Sequence, residues 1–138
     1  MINSENDLVE RMVLDTNLDS IHVVEGLVEK IGDSLNLSED SFGNVLISVT
    51  EAINNAVVHG NKNDERKKII LEVLSNGDKV CYAIKDEGAG FDFMNLPDPT
   101  APENIEKPNG RGVFLMKSLA DEVVFEDNGS KVLLYFVK

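Results

Sequence analysis

Apolar and polar positions along this chain follow two periods. Residues 8–14 are a short mixed run with Val9, Val13 and Leu14, which predicts a strand at a sheet edge. Asp15, Thr16 and Asn17 then supply N-cap candidates. Beyond them Leu18, Ile21, Val24, Leu27, Val28, Ile31 and Leu35 recur at helical spacing, and this first helix should stop near Asn36. Ser38 fits the cap of a second helix, in which Phe42, Val45, Leu46, Val49, Ala52, Ile53, Ala56 and Val57 form the cleanest three-and-four stripe in the chain. Gly60 and Asn61 are expected to end it in a left-handed conformation. Residues 63–68 are a charged connector.

Two strands are predicted over residues 69–74 and 79–85, joined as a hairpin by Ser75-Asn76-Gly77-Asp78. Residues 86–110 lack periodicity and hold Gly88, Gly90, Pro97, Pro99, Pro102 and Pro108. A loop of that length in a compact domain suggests a functional lid or a disordered segment, with the lid proper at about residues 91–109. Gly110-Arg111-Gly112 then opens a short helix carrying Val113, Phe114, Met116, Leu119 and Ala120. Strands over residues 122–126 and 131–137 follow, joined by Asp127-Asn128-Gly129-Ser130. The order is strand, two helices, two strands, lid, helix, two strands. It predicts an α+β fold: a two-layer sandwich with a mixed, mostly antiparallel sheet covered on one face by helices.

The length of 138 residues suits one domain, spanning 1–138, and 42% hydrophobic with 28% charged residues suits a globule with a real core. The formal net charge of -12 argues against direct nucleic-acid binding and favours a basic protein partner, although acidity also simply serves solubility. The single cysteine, Cys81, lies in an apolar run and reads as a buried core thiol. The polar, acidic start reads as no secretion signal, and no apolar run approaches the roughly 20 residues of a membrane helix. A cytoplasmic protein with no membrane partner is the expectation.

Three elements carry candidate chemistry. On the second helix Glu51, Asn55 and His59 are each four apart, so a carboxylate, a carboxamide and an imidazole share one face beside the apolar stripe. The plain alternative is a solvated helix face. Asp86-Glu87-Gly88-Ala89-Gly90 follows a strand; its glycines permit a tight path and close ligand approach, and its Asp can accept from an amino group. The alternative is an ordinary Asp-Gly turn. Asn109-Gly110-Arg111-Gly112-Val113 lies where loop becomes helix and can turn free N–H groups toward an anion, or serve as a hinge.

In this order the three elements resemble the GHKL superfamily of Bergerat-fold ATP-binding proteins. Glu51-x-x-x-Asn55-Ala56-x-x-His59-Gly60 resembles its N box, Asp86-x-Gly88-x-Gly90 its first glycine box and Gly110-x-Gly112 its second. The resemblance implies ATP and Mg²⁺ as cofactors. It implies that Asn55 gives an oxygen to Mg²⁺ and that Glu51 acts as catalytic general base. Asp86 would accept from the adenine 6-amino group, a site where guanine presents an opposing acceptor. His59, Gly88, Gly90, Gly110, Arg111, Gly112 and Val113 fall among the nucleotide-binding positions, and Ser130 among water-bridged contacts.

The short length, the Glu four residues before the Asn, and the Gly-Arg-Gly lead into a Met- and Leu-containing helix are most similar to the bacterial anti-sigma-factor serine/threonine kinases. That likeness implies a partner-switching kinase. Its partners would be a sigma factor or other client and a small antagonist protein as phosphoacceptor, and it would form a homodimer. The alternatives are a non-catalytic ATP-binding sequestration module, a detached histidine-kinase catalytic domain, and a plain α+β domain without a nucleotide site.

Overall fold

The computed structural model describes residues 6–90 and 108–138. The lid expected at residues 91–109 therefore lies almost wholly outside the described residues. Five strands form one sheet: β1 (Leu8–Asp15), β2 (Lys68–Ser75), β3 (Lys79–Lys85), β4 (Glu122–Glu126) and β5 (Lys131–Val137). Their order is β1-β2-β3-β5-β4, and each described pairing is antiparallel, so the parallel component of a mixed sheet is not found. Both expected connections appear. Asn76 Oδ1 closes the β2–β3 hairpin by accepting from the N–H groups of Asp78 and Lys79, both at 2.8 Å. A 3₁₀ turn over Asp127–Gly129 joins β4 to β5.

Helices α1 (Ser20–Ser34), α2 (Glu39–Asn55) and α3 (Pro108–Leu119) share the other layer. Their apolar stripes meet alternate strand residues in one core, with Val24, Val45, Val49, Ile53 and Val57 against Ile69, Leu71, Val73, Tyr82 and Leu134. Burying such side chains fully stabilises the fold by about 1.5–3 kcal/mol each. On the opposite sheet face Leu74, Cys81 and Ala83 form a small second cluster. Burial pushes the Cys81 thiol up to about 12, so it is an inert core group, as its apolar surroundings imply.

Ser38 caps α2 as expected, its hydroxyl accepting from the Ser41 N–H at 3.2 Å. Three local expectations are corrected. First, α1 begins only at Ser20, and Leu18 is 52% exposed outside it. Thr16 does not cap this helix, because its hydroxyl donates instead to the Lys67 carbonyl at 2.6 Å. Second, α3 begins at Pro108, two residues before Gly110. Proline suits the first helical position, where a missing N–H costs nothing, so Gly110-Arg111-Gly112 lies inside the first turns rather than before them.

Third, α2 runs into a π-turn over Ala56–Gly60, and neither Gly60 nor Asn61 is left-handed. The Asn61 N–H donates to the Ala56 carbonyl at 2.8 Å, a five-residue step that delays the helix end. The left-handed residues are Lys62 (φ 53°) and Asn63 (φ 59°).

Candidate functional site

The helix end, the turn after β3 and the start of α3 converge on one cavity of about 420 Å³. That is within the range of small-molecule sites. Ala52, Ile84, Met116, Phe125 and Val132 give it apolar walls, and Asn55, His59, Lys62, Asp86 and Ser130 are polar points on it.

Gly60 explains how two of the expected motifs lock together. A Cβ there would collide with the Asp86 carboxylate. Space for Asp86, not backbone conformation, therefore demands glycine at the end of the helix motif. Gly88 is packed just as tightly against the Gly60 carbonyl, and its N–H donates to Asp86 Oδ1 at 2.7 Å. Gly88 does not line the cavity; it stands one layer behind and shapes the Asp86 turn. Gly90 does line it. Its φ of +84° and the Asn128 carbonyl beside it both exclude a side chain.

Asp86 is fixed from the sheet side as well, because its N–H donates to the Ser130 carbonyl at 2.9 Å. Burial raises the pKa of its carboxyl, the Gly88 N–H opposing this in part. The Ser130 hydroxyl donates to the Asp127 carbonyl at 2.9 Å, so toward the cavity it can only accept.

Asn61 lies at the centre of a polar cluster that the sequence did not mark as one. It is 1% exposed. Its Nδ2 donates to Thr16 Oγ1 at 2.9 Å and to the Lys68 carbonyl at 3.1 Å, and its Oδ1 accepts from the Glu87 N–H at 2.7 Å. One side chain thus ties together the entry to α1, the start of β2 and the Asp86 turn. An Asn after a Gly at a helix end reads as a cap in sequence, and nothing local to it announces partners this far away along the chain.

At the other end of the cavity α3 packs on α2. A methyl at Gly112 would lie 3.0 Å from Asn55 Nδ2, 3.1 Å from its Oδ1 and 3.3 Å from Glu51 Oε2. The third motif is therefore brought directly over the first. Asn55 lines the cavity and Glu51 stands beside it, just outside the lining. Val113 lines the cavity too, whereas Gly110 and Arg111 contribute backbone in the first turn of α3. The first four N–H groups of a helix have no partner within it. Pro108 contributes none, and those of Asn109 and Gly110 have no acceptor within the helix.

His59 lines the cavity from the π-turn. Burial lowers its pKa, which keeps the imidazole neutral at pH 7, and its buried Nε2 has no hydrogen-bond partner among the described residues. Lys62 and Gly129 are among the lining residues that the sequence reading did not place in the site.

The residues fit an adenine nucleotide. The apolar slot suits a base, Asp86 and the orphaned His59 Nε2 are polar partners for its edges or sugar, and the N-terminus of a helix stands at the α3 end. They also fit Mg²⁺ as a companion of phosphates. The described residues contain no cluster of three or more His, Cys, Asp or Glu side chains able to hold a metal alone. A single Asn oxygen suits an ion that takes most of its shell from phosphate and water.

Comparison with known proteins agrees with this geometry. Among solved structures, the RsbU and RsbW domains of a Mycobacterium tuberculosis protein share the fold at a TM-score of 0.63 and 14% identity, over 94% of this chain and 32% of that one. The chain is 29% identical over 138 residues to the Staphylococcus aureus serine-protein kinase RsbW, covering 93% of this chain and 85% of the relative. It is 26% identical over 130 residues to the Bacillus cereus serine-protein kinase RsbW, covering 89% and 81%. The family model for the histidine kinase-like ATPase domain matches residues 14–136. With its three motifs gathered on one nucleotide-sized cavity, the chain belongs to the histidine kinase-like ATPase domain family.

Proposed function

We propose that this chain is an ATP-dependent serine/threonine protein kinase acting as an anti-sigma-type partner-switching regulator. The observation that carries the reading is the meeting of Glu51, Asn55 and Gly112, which sets a carboxylate beside the oxygen donor of the cavity and under the start of α3. The relatives named serine-protein kinase RsbW support it over most of the chain. When bound, Mg-ATP supplies the γ-phosphoryl group and the charge neutralisation that transfer needs.

The chain's own residues then have separate tasks. Asp86 accepts from the adenine amino group. His59 Nε2 and the Ser130 oxygen offer further polar contacts. Asn55 holds Mg²⁺ through its oxygen. The N–H groups of Asn109 and Gly110 at the start of α3 face the phosphates. Glu51 takes the proton from the hydroxyl of a serine or threonine on a partner protein. The partners this reading implies are a sigma factor or other client, a small antagonist as phosphoacceptor, and a second copy of the chain, all in the cytoplasm. Phosphorylating the antagonist weakens its return to a chain of net charge -12, because like charges then face each other.

The test is transfer of labelled phosphate from ATP to a candidate antagonist by wild type and by Glu51→Gln. Acid-stable label is expected, with the rate in the variant lower by about 10²- to 10⁴-fold. Equal rates would remove Glu51 as base. Acid-labile label would point to a histidine kinase instead, and ATP binding with no transfer to a sequestration module.

A further inference from the structure

We propose that Lys62 is the fixed cation of the nucleotide site, its ammonium group meeting the ribose-phosphate portion of bound ATP at the cavity mouth. This rests on the reading of the cavity as an ATP site. Three observations lead to it.

The first is position. Lys62 is the only Lys or Arg among the described residues that line the cavity. It is exposed, whereas Asp86, which marks the adenine end, is half-buried. The cation thus stands nearer to solvent than the carboxylate, at the mouth through which the sugar and first phosphate of a nucleotide bound base-first would pass. A triphosphate approaching a chain of net charge -12 is otherwise repelled, so a cation at the mouth offsets the field where it matters.

The second is conformation. The Asn63 N–H donates to the Val57 carbonyl at 2.8 Å, one residue wider than the usual closing bond of a helix C-terminus, as the π-turn requires. The residue before that donor takes the left-handed conformation, and it is Lys62 with φ 53°. Glycine is the usual residue there; Asn63 is also left-handed, but asparagine tolerates it. A lysine is strained at this position, and such strain persists chiefly where the side chain has a use.

The third is availability. Lys62 makes no ion pair with any of the described residues, while Lys68, Lys85 and Lys131 each pair with a carboxylate. Among the described residues no carboxylate holds its ammonium.

The two requirements on residue 62 oppose each other, and this makes the proposal testable apart from activity. The full chain, as wild type, Lys62→Gly and Lys62→Arg, is titrated calorimetrically with ATP, ADP and adenosine in magnesium chloride, and its Tm is measured without nucleotide. Lys62→Gly should raise the nucleotide-free Tm by roughly 3 °C as the strain is relieved. It should weaken ATP and ADP about tenfold while adenosine stays within about twofold. The difference should shrink at high salt, and Lys62→Arg should restore affinity. Unchanged ATP affinity in Lys62→Gly, an equal loss for adenosine, or a lower Tm would overturn the proposal. If the wild-type chain binds none of the three ligands, it is the ATP-site reading that falls, and this inference with it.

Discussion

The two ends of the cavity are built by different means. At the Asp86 end the chain is bonded to itself at every step. Gly88 and Ser130 fix Asp86 through main-chain hydrogen bonds, Asn61 ties the turn to α1 and β2, and Gly60 leaves room for the carboxylate. At the Glu51 end the described residues meet by contact, without hydrogen bonds between them. Gly112 of α3 lies over Asn55 and Glu51 at van der Waals distance, and α3 follows directly on residues 91–107. On the proposed function, the base-binding end therefore belongs to the scaffold, and the phosphate end depends on how one helix packs over another. Recognition of adenine and handling of phosphate should be separable by substitution.

The strongest way to break that contrast is at Asn61. Asn61→Ala removes three hydrogen bonds from a buried site and orphans their partners, which costs about 2–4 kcal/mol. In calorimetry or thermal melts the Tm should fall by roughly 8–15 °C. A change of less than about 0.5 kcal/mol would show that the Asp86 end is not held by this side chain.

Gly112→Ala probes the other end. The added methyl meets Asn55 and Glu51 at distances that require them to give by a few tenths of an ångström. Phosphate transfer should fall about tenfold, as expected for a small misplacement of reacting groups, while adenosine affinity changes by less than about twofold. Equal losses in transfer and adenosine binding would mean that the two ends are not independent.

The smallest effect is a pH dependence at Asp86. Its pKa in the folded chain is raised by burial, so the ionised form costs the fold stability. That cost is fully present above the raised folded pKa and is relieved as pH falls through it toward the unfolded value. Binding runs the other way, since the ionised carboxylate is a stronger acceptor for the adenine amino group than the neutral acid. Adenosine affinity should therefore decline by a few-fold on acidification, beginning above the ordinary carboxylate range, and nucleotide-free Asp86→Asn should be more stable than wild type at neutral pH. A flat affinity profile between pH 7 and about pH 4 would remove the carboxylate from base recognition.

Much of this was legible in the chain. The stripe from Val45 to Val57, the Ser38 cap and the Asn76-Gly77 turn are local signals, and each produced the element it predicted. The order of the three motifs pointed to the family and to the cavity residues Asn55, His59, Asp86, Gly90 and Val113. Periodicity and capping are properties of neighbours in sequence, so the sequence by itself determined elements, their order and the chemical inventory of the site.

What only the tertiary structure decided are the matches between distant residues. Gly60 reads as a helix terminator, yet it is glycine because Asp86 needs the space. The left-handed turn falls to Lys62 because the π-turn carries the helix one step further. Asn61 reads as a cap and becomes a buried hub. The Gly-Arg-Gly run reads as the point where loop becomes helix, yet it lies inside α3, where Gly112 is pressed on Asn55. A glycine or an asparagine carries the same local preference in either role, and the choice is made by contacts across tens of residues that no local pattern encodes.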